Sequence, residues 1–207
     1  MTRATMAPRR FHVPGLFAPD DPPSKQRVLE AALELFVERG VAETSVRDIG
    51  ARAGYSNPVI FKYFADKDEL AAHVFFACYR AIAEILAPAV SDDRGYRENV
   101  HALCQAFGQV LEEHLTAFLY MFENVRRYWP RTSPALRRLS LLAVARRLVQ
   151  QGKADGVVAS DADVEMLVAA YAGLFGQVAR MRYFGSFSDR STEWASSMER
   201  LFLAMGR

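Results

Sequence analysis

The chain has 207 residues, of which 51% are hydrophobic and 24% charged, and carries a formal net charge of +2. That is the composition of an ordinary soluble globular protein with room for one or two cores, and it is not a polybasic nucleic-acid signature. Two cysteines, Cys78 and Cys104, both in apolar stretches, fit a reducing cytoplasm; the first residues lack the apolar block of a signal peptide, and no apolar run reaches the roughly 18–20 residues of a membrane span.

Residues 1–23 hold five of the nine prolines (Pro8, Pro14, Pro19, Pro22 and Pro23) and read as a flexible arm. Arg3, Arg9 and Arg10 suit entry into a minor groove, an inert tail reads equally well, and Phe11, Leu16 and Phe17 suit packing back on the body. From Ser24 to about Arg39, apolar residues at Val28, Leu29, Ala32, Leu33 and Phe36 form a helical stripe closed by Gly40. Between Ser45 and Phe64 the chain reads SVRDIGARAGYSNPVIFKYF. Ser45 with Asp48 is a capping-box start, Gly54 supplies a left-handed stop, Ser56 caps a second helix, and Pro58 sits in its first turn.

On that second helix, a rotation of about 100° per residue puts Ile60 and Phe64 on one side and Lys62 opposite. Pro58 and Val59 lie beside Lys62, with Phe61 and Tyr63 on the flanks. A cation, an amphipathic aromatic and small apolar groups are what a groove-reading face needs. An ordinary helical hairpin with solvated charges fits the same pattern. From Ser24 to Leu70 there are seven Lys or Arg against eight Asp or Glu. Distribution must therefore carry the electrostatics, and Arg47, Arg52, Lys62 and Lys67 cluster in the motif. Asp66 with Glu69 opens a further helix that runs towards Pro88.

Ala31 to Leu70, AALELFVERGVAETSVRDIGARAGYSNPVIFKYFADKDEL, closely resembles the tetracycline-repressor (TetR) family of bacterial transcription regulators. The rest of the chain matches only in length and helical character. The resemblance implies an all-α fold with a three-helix, helix-turn-helix DNA-binding domain over 24–84, the motif at about 45–64. A helical ligand-binding and dimerisation domain over 85–207 completes about nine helices. It also implies phosphate contacts from Thr44, Ser45 and Lys67, and a recognition helix bearing Asn57, Val59, Phe61, Lys62 and Tyr63. Pro58 stands where the family often has glycine, Val59 where it has threonine or serine, Phe61 where it has tyrosine, and Tyr63 at a basic or histidine position. Any carried-over base preference is thereby put in doubt.

Beyond Pro88 the pattern predicts helices over 96–114, 115–129, 134–151, about 163–183 and 189–205. Phe75, Tyr79, Phe107, Phe118, Met121, Phe122 and Phe175 belong to an excess of large aromatic and flexible side chains. Plain core explains any one of them; as a set they suit an apolar ligand cavity, which the family resemblance also implies. Glu113, His114, Glu123 and Arg126 are candidate polar anchors. On the helix VEMLVAAYAGLFGQVARM, Ala169, Ala172, Gly173 and Gly176 form a small-residue track suited to close backbone approach. By resemblance the last two long helices form a dimer interface; packing within one chain is the alternative. The arginines from Arg126 to Arg147 suit an acidic ligand, further DNA, or a solvated face. His101 and Cys104 stand three apart without a second pair, so no metal site is expected, and no cofactor.

GxxxxGK[ST], GxSxG and HExxH are absent, so the chain reads as a non-enzyme. The expectation is a cytoplasmic, nucleoid-associated regulator binding a near-palindromic double-stranded operator as a homodimer, a repressor released by a small hydrophobic effector. The alternative is a helical small-molecule-binding or adaptor module without specific DNA function.

Overall fold

Capping chemistry sets where most helices start and stop. The computed structural model describes residues 13–186 and 191–206, and within them the chain is all-α, with ten helices and no strand. α1 (Pro23–Arg39) turns Val28, Leu29, Leu33 and Phe36 inward and ends where Gly40 takes a φ of 86°. α2 (Val46–Ala53) and α3 (Asn57–Phe61) follow, and α4 (Lys67–Leu86) leads away from them. After a 3-10 turn at Ala87–Ala89 come α5 (Tyr96–Glu113) and α6 (Leu115–Tyr128). A second 3-10 turn, Trp129–Arg131, precedes α7 (Pro134–Arg138), α8 (Leu141–Ala154), α9 (Val164–Tyr183) and α10 (Ser191–Met205).

Residues ahead of Ser24 already belong to the packed body. Val13 and Leu16 are buried, His73 Nε2 lies 3.1 Å from the Leu16 carbonyl, and Asp21 binds the Lys25 ammonium at 2.7 Å. The apolar groups outweigh the prolines here, because Val13 and Leu16 both join the hydrophobic core. Arg3, Arg9, Arg10 and Phe11 lie outside the described residues. A second difference is the break between α7 and α8, where a single helix was expected. Ser140 Oγ accepts from the Ala143 amide at 3.1 Å and starts a new helix, as Ser133 does for α7 through Leu136. A serine hydroxyl offers the backbone a bond that competes with helix continuation, and here it wins.

Buried residues form one continuous cluster from α1 to α10. Phe36 of α1 stacks on Tyr120 of α6 at 5.6 Å, and the Tyr120 hydroxyl donates to the Ala71 carbonyl of α4 at 2.9 Å. α1, against which α2 and α3 pack, therefore rests on α4 and α6. Towards the other end, the Tyr96 and Tyr171 hydroxyls meet at 2.7 Å, and Tyr171 donates to the Phe202 carbonyl, tying α5, α9 and α10 together. α4 is long and apolar enough to cross a membrane, but its Leu70, Val74, Phe75, Cys78, Ile82 and Leu86 are buried inside the protein. Both cysteines are free and buried; burial pushes both thiols up, that of Cys104 to about 12. His101 Nδ1 lies 2.9 Å from Glu199 Oε2.

Candidate nucleic-acid interface and cavity

The capping box at α2 forms as its residues indicate: Ser45 Oγ accepts from the Asp48 amide at 3.1 Å and Asp48 Oδ2 accepts from the Ser45 amide at 3.0 Å. The Ser45 hydroxyl and amide hold the Asp48 carboxyl below its usual range. Gly54 takes the left-handed conformation, φ 78°, that ends α2. Gly50, inside α2, is a glycine whose purpose the sequence pattern did not show. A Cβ there would stand 2.6 Å from the Tyr55 carbonyl oxygen, so only glycine lets the turn fold back onto α2.

On α3, Ile60 is buried and Phe64, just beyond, is too, while Phe61 is 50% exposed and Pro58 and Lys62 face solvent. Asn57 and Val59 are half-buried. Tyr63 leans back towards α1: its hydroxyl lies 2.7 Å from Ser24 Oγ, and the Lys62 ammonium is 5.8 Å from its ring centroid. The exposed set is thus Pro58, Phe61 and Lys62, with Ser45 and Arg47 at the start of α2.

Two of the expected contact residues, Thr44 and Lys67, and the motif cation Arg52 have partners within the chain. Thr44 is buried, and its hydroxyl donates to the Gly40 carbonyl at 2.8 Å, so it braces the α1–α2 loop. Lys67 donates to the carbonyls of Val41, Thr44 and Ala42 at 2.7, 2.8 and 3.3 Å. With all three donors of its ammonium occupied, it clamps α4 to the same loop. Arg52 is held by Glu34 at 2.9 Å and Glu38 at 3.0 Å, and these carboxylates raise its guanidinium pKa further. Arg52 is exposed too, so Arg47 and Lys62 are the exposed cations of the motif cluster outside any ion pair among the described residues.

A cavity of about 400 Å³ opens in the second half. α4 contributes Tyr79, Ile82, Ala83 and Leu86; α6 contributes Met121, Phe122, Val125 and Arg126. Trp129, Pro130 and the Leu139–Leu142 segment close another side, and Ala172 of α9 completes it. Of the seven expected lining residues, Tyr79, Met121 and Phe122 are present. The other four are solid core. Phe107 packs on Phe175 at 4.3 Å and on Phe118 at 5.2 Å, and Phe75 packs on Tyr128 at 4.9 Å, all four fully buried. Edge-on and tilted aromatic contacts of this kind fill space rather than leave it. The missed residues Ile82, Ala83 and Leu86 lie three, four and seven positions after Tyr79, on the same helical face, a signal the sequence does carry.

Among the candidate anchors, Arg126 lines the cavity, while Glu123 faces Arg180 at 3.7 Å. The arginine face divides. Arg127 and Arg131 reach Asp68 at 2.8 and 3.0 Å, Arg146 binds Glu165 at 2.6 Å, Arg147 donates to the Val90 carbonyl, and Arg137 donates to the Trp129 carbonyl at 2.7 Å.

The small-residue track divides too. Ala172 is buried at the cavity wall, and Gly176 makes room for Phe122, whose ring would lie 2.1 Å from a Cβ there. These two serve packing within the chain. Ala169 and Gly173 are exposed, beside Met166 at 67% exposure.

The chain thus combines a helix-turn-helix braced on a long connecting helix with a second half in which the far end of that helix walls an apolar cavity. Residues 28–74 match the family described as bacterial regulatory proteins, tetR family. It is 35% identical over 82 residues to an HTH-type transcriptional repressor of Mycobacterium tuberculosis, covering 38% of this chain and 44% of that one. It is 30% identical over 98 residues to the HTH-type transcriptional activator FasR of Mycolicibacterium smegmatis, covering 47% and 45%. The chain thus spans under half the length of these curated relatives. The ketosteroid transcriptional regulator KstR2 of Mycobacterium tuberculosis shares the fold, with a TM-score of 0.72 at 18% identity over 89% of this chain and 94% of that one.

Proposed function

We propose that this chain is a ligand-responsive transcriptional regulator, a repressor that grips a near-palindromic operator as a homodimer and is released by a small apolar effector. The observation that carries this reading is the placement of α4. Its first residue, Lys67, clamps the loop that leads into the helix-turn-helix, and Tyr79, Ile82, Ala83 and Leu86 farther along it wall the cavity. An effector that displaces α4 therefore acts on the bracing of the DNA-reading unit. Two α3 helices, one per protomer, would enter successive major grooves about 34 Å apart. The exposed Ala169–Gly173 side of α9 is the surface proposed to meet its twofold mate. Such a protein works at the nucleoid, in the cytoplasm.

Effector binding weakens operator binding only by the ratio of its affinities for the two arrangements, and operator weakens effector binding by the same factor. The test is selection of an operator from a random DNA pool, followed by measurement of affinity across a salt series. A steep fall of affinity with salt and an enriched near-palindrome are expected. Retention that is weak and insensitive to salt would leave a helical binding module without a DNA role.

A further inference from the structure

The cavity is apolar nearly throughout, yet its polar groups share one character. No carboxylate is among its lining residues. Arg126 stands on its wall, exposed, with no hydrogen-bond or ion-pair partner among the described residues, whereas Arg127 and Arg131 beside it are paired to Asp68. Behind the wall lies Arg137. Its guanidinium donates to the Trp129 and Pro130 carbonyls and stacks over the Trp129 ring at 5.0 Å, so it is fixed against two lining residues. Its Nε is buried and has no partner. A guanidinium N–H withdrawn from water without an acceptor is costly, so such a group is a standing demand for an anion or a strong acceptor. The Ser140 hydroxyl and the Arg137 charge also reach the Tyr79 phenol, opposing the rise that burial imposes on it. Arg126, Ser140 and the Tyr79 phenol thus line a cavity otherwise walled by Leu, Ile, Val, Met, Ala, Pro and aromatic side chains, with Arg137 held directly behind Trp129 and Pro130.

We propose that the effector is an apolar acid: one hydrocarbon or aromatic body seated between α4 and α6, carrying a single carboxylate directed to the Arg126 and Arg137 side. This rests on the effector reading above and narrows it to a chemical class. The apolar wall supplies affinity in proportion to the area covered, while the guanidiniums select the anion, since a charge-assisted hydrogen bond is about twice as strong as a neutral one. A cavity of about 400 Å³ is at the small end for drug-sized ligands, which suits an acid with a short chain or a single ring system.

The experiment compares matched pairs by thermal shift and calorimetry on the full chain: decanoate against 1-decanol, and 4-phenylbutyrate against 4-phenylbutanol, all below micelle-forming concentrations. At least one acid is expected to raise the melting temperature and to bind tenfold or more tightly than its alcohol. Arg126→Gln, at an exposed position, should remove most of that preference while leaving the alcohol's affinity unchanged; Arg137→Gln should do the same where it folds. Alcohols binding as well as acids, or an acid preference untouched by Arg126→Gln, would overturn the assignment of class but leave the cavity as an effector site. Failure of all four compounds to bind would overturn this proposal, and with it the reading of the cavity as an effector site if a wider set of neutral and cationic apolar compounds also failed.

Discussion

Lys62 and Lys67 are five residues apart and do opposite things. The Lys62 ammonium is exposed on α3, whereas all three donors of Lys67 are spent on the carbonyls of the α1–α2 loop. Lys62→Ala should lower the slope of log affinity against log salt by roughly 0.9, the signature of one lost phosphate neutralisation. Lys67→Ala should leave that slope nearly unchanged, yet lower both the melting temperature and operator affinity, because the loop loses its clamp. Salt titrations of the two variants on one operator separate the roles; equal slope changes would return Lys67 to the DNA. Sequence reasoning placed both lysines in the motif but could not divide them. A side chain's partners depend on which backbone carbonyls the tertiary fold brings near it. The same limit applies to Thr44, Gly50 and Gly176, whose purposes become visible only when a loop, a turn or the Phe122 ring is packed against them. Ser45, Gly54, Ile60 and Phe64 were legible because capping and helical periodicity are local.

Among elements, α6 is the one that touches both the cavity and the root of α4. Met121, Phe122, Val125 and Arg126 line the cavity, while Arg127 and the following Arg131 hold Asp68, the residue beside Lys67. Burial alone would raise the Asp68 carboxyl, but the two guanidiniums outweigh it and hold it below its ordinary 3.8. A lowered carboxylate contributes stability above its unfolded pKa and loses it as pH falls through the folded one, so these pairs persist at neutral pH and fail only in acid below about 4. All three side chains are about half exposed, so each pair is worth only about 0.2–1 kcal/mol. Asp68→Asn should therefore cost little in melting temperature. It should, however, shrink the factor by which effector weakens operator binding, measured as the ratio of effector Kd with and without DNA. An unchanged ratio would exclude this route from cavity to reading helix. The α7–α8 break was not legible from periodicity, because the helical spacing from Pro134 runs on through Ser140, whose hydroxyl caps a new helix.

At the scale of the whole molecule, α9, whose small-residue track suits close backbone approach, has two sides within the single chain. Leu167, Tyr171, Ala172 and Phe175 face the core, while Met166, Ala169 and Gly173 face outward. Self-association through this outward side would cover the apolar surface. Gly173→Glu is expected to shift sedimentation towards monomer without lowering monomer stability, since nothing lies within 4 Å of a Cβ built there. Operator affinity should fall with it, a single head engaging one half-site. A fully dimeric Gly173→Glu protein would place the interface elsewhere. The fold class was readable because helical periods and caps repeat along the entire chain. Which aromatics would fill a core and which would leave a space was not, since that depends on how three or four helices meet.

The helix restart at Ser140 bears on how such a protein acquires new tastes. Leu139, Leu141 and Leu142 hang from a hydroxyl cap at the cavity's edge, apart from the stacked rings of Phe107, Phe118 and Phe175. Leu139 and Leu142 are also more than 40% exposed, so exchanging them disturbs little of the interior. Variation confined to this short strip alters what the cavity admits while α3, α4 and the outward side of α9 stay as they are. On the proposed effector reading, a library confined to that strip is expected to retune what a cellular biosensor built on this chain detects, with its helix-turn-helix left intact.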